Sequence, residues 1–323
     1  MSASPTGTAG RGNQPLYGRP AAGLYLISWI LGGFGLVGLV VAVQSGPPLR
    51  GLLLMGALVL IMAGLSAAAG YQIVSRRSRP PEAFRGPSPL LLFGLQFALV
   101  NSLSLVLLAL GVPLTESPSG FFIATVVLFG SYVAVVWVFG IRSGAVSWRG
   151  LGFPYRASAT QLLSDMGFAG GVMLLVVLLA GLGGGLLARL LETSAPQVVP
   201  APGTTLDTLL IALGAGVLLP IGEELFFRGY AMTAWLRDLG PRAALTRSTI
   251  FFALVHIATI SSETFLEGAK QALLVLAVIG PVGYALGWLF LRRGLIAAMA
   301  GHAAYNLFGI VILVLAQNLP PAA

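Results

Sequence analysis

Two adjacent carboxylates, Glu223 and Glu224, stand in an otherwise apolar run with Arg228 shortly after them, and the chain's only histidines, His256 and His302, lie in two later apolar runs. A hydrocarbon environment penalises each ionisable group by roughly 2.5–3.5 kcal/mol on insertion scales, so such groups are kept there chiefly where they line a polar cavity or pathway. Their types are complementary. A carboxylate takes a proton from water, an imidazole positions that water or binds a metal, and an amide N–H, which Asn306 offers shortly after His302, stabilises an oxyanion. The chemistry these groups support together is hydrolysis in a buried site. Two adjacent carboxylates are not readily charged together, and Arg228 favours the charged form of Glu224. The pair therefore divides into a structural anion, Glu224, and a titratable base, Glu223.

Helical geometry brings these residues into register. Residues four apart share a face, so Glu224 lies over Arg228, Phe252 over His256 and His302 over Asn306, while Glu223 projects about 100° from Glu224. His256 follows Arg247, and His302 follows Arg293, by the same nine residues, about 14 Å along a helix. Glu223 precedes Met232, where its own span should reach the same surface, by an equal interval. Three spans thus present polar groups at one level. Pro220 removes a backbone donor just ahead of the glutamates, and Gly222 adds room there. Singly, each pair has a plainer reading: Glu224 with Arg228 as an internal ion pair, His302 with Asn306 as a link between helices, Phe252 as packing. Asp165, Asn101 and Gln96 read as interhelical bonds or interface residues, and Glu263 with Glu267 as a solvated face.

The elements that must hold these groups are legible in the composition. The chain of 323 residues is 57% hydrophobic and 9% charged, with mean hydropathy +0.92. The apolar content falls in runs of about 20 residues, the length that crosses a bilayer core. This predicts an all-α, polytopic transmembrane bundle of about nine spans, near residues 22–44, 51–74, 88–111, 120–141, 161–188, 204–232, 245–260, 270–291 and 295–317. With no cysteine, disulfides, thiolate metal sites and cysteine nucleophiles are excluded. The net charge of +8 would suggest nucleic acid in a soluble protein, but here topology accounts for it, and no nucleic-acid partner is expected. When successive connections are assigned alternately to two sides, Arg50, Arg189 and Lys270 fall on one and the other fifteen of the 18 basic residues, Arg11, Arg156 and Arg228 among them, on the other. That asymmetry predicts a multi-pass protein of the cell membrane with its N-terminus cytoplasmic and its C-terminus external. Residues 1–20 read as a flexible cytoplasmic tail, residues 21–200 as N-terminal transmembrane helices, of which the first four spans contain almost no ionisable side chain, and residues 201–323 as a catalytic core. A Pro-rich connection, Ser194 to Thr205, separates the two halves, and Gly183, Gly184 and Gly185 are expected to loosen the end of the fifth span.

Glu223–Arg228 reads EELFFR, Phe252–His256 reads FALVH and His302–Asn306 reads HAAYN. These resemble the EExxxR, FxxxH and HxxxN motifs of the CPBP intramembrane proteases, which include type II CAAX prenyl endopeptidases, Ras-converting enzymes, and bacteriocin-processing or immunity proteins (the ABI family). The resemblance covers residues 204–317. It implies helices around a conical, cytoplasm-facing cavity and an endopeptidase acting near the C-terminus of membrane-associated proteins or peptides. It also implies roles: Glu223 with His256 to activate water, Glu224 with Arg228 to support the site, and His302 with Asn306 to stabilise the oxyanion. The family has been described both as metal-dependent and as metal-independent. Glu223, His256 and His302 could together ligate zinc, but no HExxH spacing is present and the glutamate would be lost as base, so no obligatory metal is expected. The sequence contains neither the G-x-S-G of rhomboid-like serine proteases nor the G-x-G-D of the aspartyl class. A non-catalytic immunity or scaffold protein that binds a peptide partner in the same cavity is the alternative, with a proton-linked transporter behind it. Oligomeric state is open.

Overall fold

The computed structural model describes residues 19–46, 49–114, 116–154, 157–196, 199–258, 260, 262 and 264–317. All regular structure in them is helical. The rods are α1 (Arg19–Gln44), α2 (Leu49–Arg76), α3 (Pro89–Ala109), α4 (Pro118–Ile141), α5 (Ala159–Leu191), α6 (Thr205–Leu239), α7 (Pro241–Ile257), α8 (Phe265–Arg293) and α9 (Leu295–Gln317). Local chemistry sets where they start. Ser88, Ser117 and Ser158 each accept a backbone N–H of the first turn, and Thr204 with Asp207 forms a reciprocal capping box. Gly240 (φ 81°) and Gly294 (φ 83°) end α6 and α8 in a conformation that a side chain would strain, and so turn the chain directly into α7 and α9.

Eight helices among the described residues are long and apolar enough to cross a membrane, and the chain is a multi-pass membrane protein. The remaining expected span, residues 245–260, corresponds to α7. It has 17 residues, about 25 Å against a hydrocarbon core of about 30 Å, and carries Arg242 and Arg247 in its first two turns. Gly183, Gly184 and Gly185 do not break α5, which runs unbroken to Leu191. The expected tail, residues 1–20, lies outside the described residues except for Arg19 and Pro20, which open α1. Arg11, Arg156 and Glu263 also lie outside them.

Helices α1 to α4 pack in sequence, each on the next, and α4 then packs against α6. The two run in the same direction: Thr125 abuts Gly214, Phe129 abuts Gly222, and Tyr230 abuts Gly140. A Cβ at Gly222 would lie 3.0 Å from the Phe129 ring and 3.2 Å from its Cα, so glycine is what admits this approach. On the other side α9 lies against α5 and α6, and α8 against α5, α7 and α9. The middle of α6 is therefore enclosed on all sides, every residue from Glu223 to Met232 being buried. Around it Phe226, Phe227 and Tyr230 meet Phe93, Tyr132, Phe251 and Phe252 in a continuous aromatic cluster.

Polar links tie the layers. Gln96 donates to the Ser131 hydroxyl at 2.9 Å between α3 and α4, and Arg293 meets Asp165 at 2.7 Å between α8 and α5, both as expected. Asn101 instead donates to Phe97 O within its own helix. Glu267 accepts hydrogen bonds from Thr193 and Gln271, which makes it a link to the end of α5 rather than a purely solvated residue.

Candidate active site

Helix α6 is not a regular α-helix. Two π-helical stretches, Gly214–Leu218 and Leu225–Met232, flank the short α-helical segment Leu219–Glu224 that carries both glutamates. Each extra residue in a turn rotates the remainder of the helix by about 100°, so these stretches set where the glutamates point. In the first of them Leu219 N–H reaches back five residues to Gly214 O. The next donor in that register would be Pro220, which has no N–H to give Ala215 O. Asn306 of α9 fills the place, its Nδ2 donating to Ala215 O at 2.7 Å.

The adjacent glutamates have opposite surroundings. Glu224 Oε1 accepts both Arg228 Nη1 at 2.6 Å and His302 Nδ1 at 2.9 Å, and the Glu224 and Arg228 side chains are both 0% exposed. Arg228 also donates through Nη2 to Gly283 O at 2.9 Å, and its guanidinium lies 4.3 Å from the centre of the Phe252 ring. Gly283 permits this contact, since a Cβ there would stand 3.1 Å from Phe252. Arg228, which the charge asymmetry placed among the basic residues of the cytoplasmic side, is thus an internal counter-ion and not a topological charge.

Glu223 keeps 11% of its side chain exposed, and its Oε2 lies 3.7 Å from His302 Nε2. Because His302 Nδ1 must carry a hydrogen to donate to Glu224, a neutral ring turns a lone pair on Nε2 toward Glu223. The 3.7 Å separation is too long for a direct hydrogen bond, while a single water about 2.8 Å from each atom fits the gap.

His256 sits against Phe252. Its ring is 4.4 Å from that of Phe252, which in turn stands 5.7 Å from the His302 ring, and its Nδ1 donates to Phe252 O at 2.8 Å. The expected Glu224–Arg228 and Phe252–His256 neighbours therefore meet. His302 and Asn306 reach in different directions, one to the glutamates and the other to Ala215. The resemblance paired Glu223 with His256; the contact seen for Glu223 is with His302. Among the described residues no three His, Asp or Glu side chains are grouped so as to hold a metal ion.

Two hollows lie away from Glu223. One of about 540 Å³ lies by Arg189, Glu192 and Glu267, and another of about 400 Å³ lies among Met62, Leu95, Leu99 and Phe139. The Gly283 and Ala215 carbonyls, which fix Arg228 and Asn306, are beyond motif reasoning, because a backbone acceptor leaves no residue-type signal. Pro220 was the available clue to Ala215.

No curated protein and no solved structure gave a match to the chain. The family model described as type II CAAX prenyl endopeptidase Rce1-like matches residues 205–308. That stretch carries the paired glutamates, Arg228, both histidines and Asn306, so the part of the chain that builds this site is Rce1-like, in agreement with the resemblance of its three motifs.

Proposed function

We propose that the chain is a CAAX-type intramembrane endopeptidase that hydrolyses a peptide bond of a membrane-associated protein or peptide with a glutamate-activated water. The observation that carries this reading is the division of the glutamate pair. Glu224 is closed off by Arg228 and His302, whereas Glu223 keeps an open edge facing His302 Nε2 across a water-sized gap. A water held between Glu223 Oε2 and His302 Nε2 gives up a proton to Glu223 as its oxygen attacks the scissile carbonyl carbon. Glu223 then delivers that proton to the departing amine nitrogen. Glu224 and Arg228 fix His302 in one orientation and tautomer, and His256, held by Phe252 O, places a second imidazole beside the same cluster to orient the substrate. The positive-inside asymmetry supports a cytoplasm-facing site in the cell membrane, with the N-terminus cytoplasmic.

The test uses purified full-length protein in liposomes and an internally quenched peptide ending in a farnesylated CAAX sequence. Glu223→Gln should lower kcat by about 10²- to 10⁴-fold, the range of a lost general base. Undiminished cleavage by this variant, or no cleavage by the wild type, would overturn the reading.

A further inference from the structure

The second π-helical stretch of α6, Leu225–Met232, carries Arg228 and follows directly on Glu224, so its register decides how the arginine meets the glutamate pair. Such turns are rare, and a run of eight residues in this form needs its side chains held from outside. Tyr230, just past Arg228, is held by the other half of the chain. Its hydroxyl donates to Pro87 O at 2.9 Å, its ring meets that of Phe84 edge-on at 5.4 Å, and it packs on Gly140, where a Cβ would stand 3.1 Å from it. Tyr230, Phe84 and Pro87 are all buried. The same ring stacks on Phe226 at 6.3 Å, within the stretch itself.

The connection from α2 to α3, residues 77–88, is fixed in its turn. Arg76 donates to Gly86 O at 2.5 Å, and Ser88 N–H to Gln72 Oε1 at 2.6 Å. Phe84 N–H donates to Asp238 Oδ1 at 3.1 Å, and Arg79 pairs with the same carboxylate at 3.6 Å. The connection therefore grips α6 at Tyr230 and again at Asp238, about two turns further on.

We infer that Tyr230 is a positioning residue: through Pro87 it ties the π-helical stretch to the N-terminal half of the chain, outside the Rce1-like match, and so holds Arg228 and the glutamate pair in their working register. The inference rests on the peptidase reading. Tyr230 touches no reacting atom; it acts through Arg228 and Glu224, which set the orientation of His302. If the stretch turns, Arg228 leaves Gly283 O and the Phe252 ring, and the His302 edge that faces Glu223 shifts with Glu224. A displacement of about 1 Å at a reacting group can cost about 10²-fold in rate.

Tyr230→Phe keeps the ring and removes the bond to Pro87 O. In the liposome assay with the farnesylated peptide, kcat should fall about 10- to 100-fold with KM within about twofold. Asp238→Ala, at the exposed end of the grip, should also lower kcat, and the double variant should fall short of the product of the two losses, because both act through one connection. Gln96→Leu is the control: it removes the buried bond to Ser131 between α3 and α4 and should lower the melting temperature while keeping wild-type kcat. Wild-type kcat in Tyr230→Phe, a raised KM with kcat unchanged, or an equal kcat loss in Gln96→Leu, while Glu223→Gln is inactive, would overturn the role of Tyr230 and leave the peptidase reading intact. Where Tyr230→Phe does not fold, wild-type kcat in Asp238→Ala would overturn it equally. An active Glu223→Gln variant, or a wild type that does not cleave the peptide, would overturn both.

Discussion

Glu224→Gln isolates the charge of the buried anion. The amide oxygen can replace Oε1, which accepts both Arg228 and His302, and the amide nitrogen falls where Oε2 has no partner among the described residues, so no hydrogen bond need be lost. What disappears is the counter-ion of a guanidinium that is 0% exposed. Breaking a buried ion pair from one side costs about 3–5 kcal/mol, because the remaining charge is stranded in a medium that solvates it poorly. At roughly 2–4 °C per kcal/mol, the melting temperature in detergent should fall by roughly 6–20 °C. Glu223→Gln is the control. It alters a neighbouring carboxylate whose nearest ionic partner is 3.7 Å away and whose edge is open, so it should melt within about 2 °C of wild type. Adding Arg228→Met to Glu224→Gln removes the stranded charge and should recover most of the lost stability. Intrinsic fluorescence melts of the four proteins in one detergent decide the matter. If Glu224→Gln melts together with Glu223→Gln, or the double variant is no more stable than Glu224→Gln, the division of labour between the two glutamates is wrong.

Asn306→Ala should cost about 1–3 kcal/mol by stranding Ala215 O, and the cost should shrink in a Pro220→Ala background, where a backbone N–H becomes available to that carbonyl. A cycle of denaturant melts would show it, and strict additivity would refute the register argument. The absence of native cysteine makes topology accessible to single-cysteine labelling. In intact cells an impermeant maleimide should label Arg50→Cys and Lys270→Cys but not Arg77→Cys or Arg142→Cys; the reverse pattern would overturn the assigned orientation.

Composition made the membrane architecture legible, because about 20 apolar residues in a row have few other uses. Helical spacing correctly paired Glu224 with Arg228 and Phe252 with His256. It failed where the helix was not regular or the partner was not a side chain. A period of 3.6 cannot register the π-helical stretches of α6, and so could not say that Glu223 and Glu224, nominally 100° apart, both reach His302. Nor could it show that Asn306 leaves His302 for a backbone carbonyl on another helix.

In the proposed reaction, the adjacency of the glutamates has a physical purpose that neither residue shows alone. A base that must exchange protons with water needs an open edge, and an imidazole that must hold that water needs a fixed ring; one carboxylate cannot be both open to water and locked to a histidine. Two in sequence, their directions set by an irregular helix, allow His302 to be bound at Nδ1 by the closed glutamate and presented at Nε2 to the open one. Arg228 is then required for the first and would be a hindrance to the second, since a direct ion pair at Glu223 would compete for the proton it has to accept. The spacing EExxxR places the arginine on the face of the second glutamate, four residues on, and away from the first.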